Sequence, residues 1–141
     1  MKKILQFLGS PANLRRRKTA KGPDGTSCAN RLRENEALIE KVVARQGPIR
    51  GKRWVEFHIS LPNKDLALTA RGMLVKEFPP GEERQIYVEE IDGQSGCCFD
   101  ERTNVDPVRI TEIECAILRI CGDLMKDKFV SWGFDSTPYK S

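Results

Sequence analysis

The sequence predicts an α+β domain in which a leading helix is followed by the order β-α-β-β-α-β, placing two helices on one face of a four-stranded antiparallel sheet. Three observations carry this. Apolar residues alternate strictly through Val55, Phe57, Ile59 and Leu61. Apolar residues recur at helical spacing in three separate segments, near 30–45, 64–78 and 106–128. Between the second and third of these, Asp92-Gly93 joins two strand-like runs. The two periods, 2 for a strand and 3.6 for a helix, are what a half-buried element of each kind requires.

The chain opens with residues 1–29, which combine Arg15-Arg16-Arg17-Lys18, Lys21-Gly22-Pro23-Asp24-Gly25 and Thr26-Ser27. Such a composition favours solvated coil, so a basic, flexible leader is expected, with a short amphipathic turn near Ile4–Leu8. Its first nine residues imitate the opening of a signal peptide, but the apolar stretch is short and runs into the basic cluster instead of a small-residue cleavage site. No apolar run approaches the roughly 20 residues that cross a bilayer. A soluble, cytoplasmic protein is therefore expected.

Residues 30–141 are expected to be the folded domain. Asn30 is the expected cap of a helix to about Arg45, with Leu32, Leu38, Ile39, Val42 and Val43 on one stripe, stopped by Gln46-Gly47-Pro48. The first strand is Trp54–Leu61. A second helix runs from about Lys64 to Phe78 with Leu66, Ala70, Met73, Leu74 and Phe78 inward, and Pro79-Pro80-Gly81 ends it. Gln85–Ile91 and the run through Cys97-Cys98-Phe99 form a hairpin, because Asp-Gly suits the type I′ turn, which needs φ > 0 at both central residues. Asp106-Pro107 opens a long helix to about Lys128, with Ile110, Ile113, Ile117, Ile120, Cys121 and Leu124 inward. Val130, Trp132 and Phe134 alternate in a closing strand, which makes Trp132 a core residue. This order is that of the ferredoxin-like sandwich.

The net charge of +4 conceals a division. Residues 1–53 hold 14 Lys and Arg against 4 Asp and Glu, a charge of +10; residues 54–141 hold 10 against 16, a charge of −6. Nucleic acid or an anionic lipid surface is thus expected only at the leader, through Arg15, Arg16, Arg17 and Lys18. The third strand carries acids where an RNA-recognition sheet needs Lys or Arg beside its stacking aromatics.

Five cysteines, Cys28, Cys97, Cys98, Cys115 and Cys121, are odd in number and form no CxxC pair. They read as free, buried thiols of a reducing compartment. One histidine and no ligand spacing argue against structural zinc. No glycine-rich phosphate loop and no GxSxG elbow is present, and no cofactor is expected. His58, on the strand face opposite Val55, Phe57 and Ile59, falls near Cys97 or Cys98 if the first and third strands are neighbours. A thiolate–imidazole pair oriented by Asp100 would make a cysteine-dependent enzyme. A structural histidine is commoner, so no catalytic residue is assigned.

The elements resemble a known family, the regulator of ribonuclease E activity B. The likeness spans Leu32 to Pro138. It includes Arg33-Glu34-Asn35-Glu36 and Leu38-Ile39 in the leading helix, Val55-Glu56-Phe57-His58-Ile59-Ser60-Leu61 in the first strand, the Cys97-Cys98 pair, the long amphipathic helix, and Trp132-Gly133 followed by Phe134. The resemblance implies a non-enzymatic domain that binds a protein partner, an endoribonuclease, and damps its cleavage of RNA. The family's relatives carry an acidic C-terminal extension where this sequence reads Pro138-Tyr139-Lys140-Ser141, and the basic leader is not part of their pattern. For docking, the acidic positions Glu89, Glu90, Asp100 and Glu101 are the candidates, with Trp54 and His58 on the open sheet face. The alternative is an RNA- or membrane-surface-binding module acting through the leader.

Overall fold

The computed structural model describes residues 5–7, 25–125, 127–128 and 130–135. A short strand β1 (Leu5–Phe7) is followed by helix α1 (Gly25–Gln46), strand β2 (Lys52–Leu61) and helix α2 (Lys64–Glu77). Then come β3 (Arg84–Ile91), β4 (Gln94–Asn104), helix α3 (Pro107–Cys121), a single 3₁₀ turn (Gly122–Leu124) and β5 (Ser131–Asp135). The architecture is α+β, with an antiparallel sheet in the order β1-β5-β2-β4-β3. The four strands β2 to β5 and the helices α2 and α3 follow the expected β-α-β-β-α-β order.

Local chemistry explains the boundaries. Asn63 caps α2 by accepting from the Leu66 N–H, and Asp106 caps α3 by accepting from the Val108 N–H, with Pro107 in the first turn where its missing N–H costs nothing. The β3–β4 hairpin turns through Asp92 (φ 53°) and Gly93 (φ 76°), the left-handed pair that the type I′ turn demands. Helix α3 stops at Cys121, short of the expected Lys128. Gly122 and Asp123 are weak helix formers, and there the chain tightens into the 3₁₀ turn.

The core lies between the sheet and the helices. Val55, Phe57, Ile59 and Leu61 from β2 meet Ile86, Cys97, Phe99, Trp132 and Phe134 from the other strands. Ala67, Ala70 and Leu74 of α2 and Ile110, Ile113, Ile117 and Cys121 of α3 close over them. Met73, expected inward, is exposed, and Ala67 takes the buried position. Phe99 receives Phe57 and Phe78 edge-on, with ring centroids 5.9 and 5.2 Å away, the geometry in which a positive ring edge meets a negative face.

The leading helix departs from expectation in three ways. It begins at Gly25, so Asn30 sits inside it, where its side chain accepts from Arg33 instead of capping. The expected leader boundary at residue 29 therefore falls within a helix, and Leu5–Phe7 form a strand where a turn was expected. Among its described side chains the most buried are Arg31, Asn35 and Val42, while Val43 is exposed. Asn35 donates to Glu114 Oε1 (2.8 Å) and Thr111 Oγ1 (3.0 Å) and accepts from Trp132 Nε1 (3.0 Å), which ties α1 to α3 and β5. Helix α1 thus lies on the same side of the sheet as α2 and α3.

Two cysteines are not free. Cys28 of α1 and Cys115 of α3 form a disulfide, and only Cys97, Cys98 and Cys121 are free thiols. The missing CxxC signal was no guide, because the partners stand 87 residues apart and meet only when the two helices pack.

A second tie holds β3, β4 and α3 together. Glu101 of β4 accepts from Arg84 (2.8 Å) and from Arg109 (2.8 Å), almost out of water. Burial alone would raise its pKa, but the hydrogen bonds and charges of Arg109 and Arg84 outweigh this and hold the carboxyl below its ordinary value. Glu101 was expected as an exposed docking acid; it is instead a buried structural anion.

Two outcomes follow. Reduction, or Cys115→Ser, is expected to lower unfolding free energy by about 2–4 kcal/mol in urea titrations, since the bridge closes a long loop. Glu101 has its folded pKa below the unfolded one, so its contribution is complete above pH about 4.5 and is lost as pH falls below that. Glu101→Gln should cost roughly 3 kcal/mol at pH 7 and flatten the acid limb of the stability curve.

Candidate functional site

Strand pleating divides the predicted site residues between two faces. Residues alternate sides along β2, so Val55, Phe57 and Ile59 face the helices while Trp54, Glu56 and His58 face the other way. The register carries this across the sheet. His58 pairs with Cys98, and Cys98 with Tyr87; Glu56 pairs with Asp100, and Glu89 with Gly96. Trp54, Glu56, His58, Tyr87, Glu89, Cys98 and Asp100 therefore share the face turned away from the helices. No described helix lies on that face.

Of the six expected docking residues, Trp54, His58, Glu89 and Asp100 occupy it. Glu90 and Glu101 do not. Glu90 pairs with Ser95 and Glu101 with Val55, in register with the helix-side residues. Asp100 shares the face but is buried, at 1% exposure, so it is not the exposed acid expected. The adjacent pairs Glu89-Glu90 and Asp100-Glu101 each split across the sheet, as neighbouring strand residues must. Arg15, Arg16, Arg17 and Lys18 lie outside the described residues.

At the centre of the face, His58 and Cys98 sit directly opposite one another on β2 and β4. Cys97 points into the core. Cys98 Sγ lies 3.9 Å from Glu89 Oε1, and Tyr87 donates to Asp100 Oδ2 at 3.1 Å. Gly96 leaves the space that His58 fills: a Cβ there would stand 2.5 Å from His58 Nε2. A glycine inside a strand weakens it, and here its use is close approach.

The electrostatics are those of a half-buried polar cluster. Burial lowers the pKa of His58, opposed by the charge of Glu89. Burial, then the charges of Glu89 and Asp100, push the Cys98 thiol up to about 12. Burial and Asp100 also raise Tyr87. At neutral pH the pair is thus imidazole and thiol, the reverse of the thiolate–imidazolium state that makes a reactive cysteine nucleophile. Tyr87 and Gly96 were not singled out in the sequence. The role of Tyr87 depends on the β3–β4 register, at which the hairpin turn hints, and that of Gly96 on the β2–β4 register, which has no local sign.

Comparison with protein-family models, with curated proteins and with solved structures finds no match. No helix among the described residues is long and apolar enough to cross a membrane.

Two expectations test this geometry. Gly96→Ala should displace the His58 ring and cost about 1–3 kcal/mol, read by urea denaturation. In the native protein at neutral pH, iodoacetamide should label Cys97, Cys98 and Cys121 slowly, and only denaturant should bring labelling to the rate of a free thiol in peptides.

Proposed function

We propose that this chain is a non-catalytic regulatory domain that docks a protein partner on the sheet face away from the helices, the partner being an endoribonuclease of the ribonuclease E kind. In this reading the fold is the ferredoxin-like sandwich and the chain is related to the regulator of ribonuclease E activity B. The order of β2 to β5, with the first and third of them adjacent at the centre, supports that topology.

One observation carries the docking role: all three described helices pack on one side, and the opposite face presents Glu56 and Glu89 around Trp54, His58 and Tyr87. Carboxylates around aromatic groups suit the basic surface of a protein that handles RNA. Charge complementarity of this kind steers encounter, and partly exposed aromatics supply anchors. Residues 25–141, leading helix included, hold 17 Lys and Arg against 19 Asp and Glu, a balance of −2 that favours a basic protein over RNA itself.

The test uses the full chain with purified ribonuclease E and a short RNA substrate. Saturable binding in surface plasmon resonance together with slowed cleavage is the expected result. Trp54→Ala and Glu56→Lys should each weaken binding roughly tenfold, and added salt should slow association. Absence of binding to the enzyme, or retention of RNA alone, would overturn the reading in favour of a module working through its basic leader.

A further inference from the structure

Three side chains of three different metal-binding chemistries converge at the centre of the sheet face turned away from the described helices, one from each of three adjacent strands. They are the imidazole of His58 on β2, the thiol of Cys98 on β4 and the carboxylate of Glu89 on β3. Their nitrogen, sulfur and oxygen ligand atoms all lie within 4.8 Å of one another. We propose that His58, Glu89 and Cys98 form a zinc-binding site. This assignment does not rest on the docking role.

The donor set selects the metal class. Imidazole, thiolate and carboxylate together suit a borderline ion that favours four-coordination, which is zinc among the common divalent cations; calcium and magnesium take oxygen donors alone. Tetrahedral zinc holds its ligand atoms roughly 3.5 Å apart, so the three side chains need to close by about 1 Å, within the reach of rotamer adjustment. The backbones need not move, because ladder pairing fixes His58 opposite Cys98 and Glu89 opposite Gly96.

Two further features support a site. A side chain at Gly96 would meet the imidazole, and its lack lets the ring lean across β4 toward Glu89. Asp100, buried and accepting from Tyr87, adds negative charge beside the cluster. A divalent ion seated between the donors binds the thiolate form of Cys98 and displaces the thiol proton to solvent. Three protein donors leave the fourth position for water or an incoming ligand.

The experiment titrates the full, metal-stripped chain, its Cys28–Cys115 disulfide intact, with Zn²⁺ by calorimetry and with Co²⁺ by absorption. The expected result is one equivalent of zinc at sub-micromolar affinity and a thiolate-to-cobalt charge-transfer band with the intense visible bands of a tetrahedral site. His58→Ala should weaken zinc binding by about a hundredfold or more. Cys98→Ser should remove the charge-transfer band, whereas Cys97→Ser and Cys121→Ser should leave it in place, with circular dichroism confirming that each variant is folded. Failure of the unmodified chain to bind one equivalent of zinc would overturn the assignment, as would a charge-transfer band that survives Cys98→Ser.

Discussion

One buried amide holds the helical layer to the sheet. Asn35 uses both donors and its carbonyl at once, giving its N–H groups to Glu114 and Thr111 of α3 and taking the indole N–H of Trp132 from β5. Trp132 heads the largest fully buried side chains, and Glu114 is wholly enclosed. Burying an indole N–H or a carboxylate is tolerable only if each finds a partner, and unmet groups cost about 1–3 kcal/mol or more. Asn35 meets both requirements from a third element. Helix α1 therefore completes this polar part of the interior, beside the apolar cluster between the helices and the sheet.

Around that node the packing follows directly. Thr111 passes its own proton to the Pro107 carbonyl, so the first turn of α3 belongs to the same chain of hydrogen bonds. The disulfide fixes α1 against α3 one side of Asn35, near the start of the helix, and Val42 packs into the core on the other. On the other side of β2, Glu101 plays the matching role between β4, β3 and α3. The helix side of the molecule is thus organised for stability. The polar chemistry of the other face is carried on the same strands, so the positions of His58, Cys98 and Glu89 inherit the rigidity of the core behind them.

Much of this was legible in the residues. The alternation of Val55, Phe57, Ile59 and Leu61, the Asp92-Gly93 turn, the Asp106-Pro107 start and the burial of Trp132 all follow from local pattern. What was not legible depends on pairings between distant segments. The apolar stripe expected on α1 understates Asn35 because polar residues at an interface look, in sequence, like solvated ones. Cys28 and Cys115 carry no local sign of each other. The runs Glu89-Glu90 and Asp100-Glu101 read as acidic patches, yet pleating sends their members to opposite sides. The cluster of His58, Glu89 and Cys98 escapes any search for ligand spacing along the chain, because its spacing is set by register across three strands.

The placement of β5 has a consequence for incomplete chains. It is the last described element in sequence, yet it sits inside the sheet, between β1 and β2. Until it is in place, β2 presents an unpaired edge along a strand of ten residues with four large apolar side chains on one side. Such an edge is a template for pairing with a second molecule. A nascent chain halted before Ser131, or one clipped after α3, would carry its disulfide and most of its core, and would still be prone to assemble edge to edge.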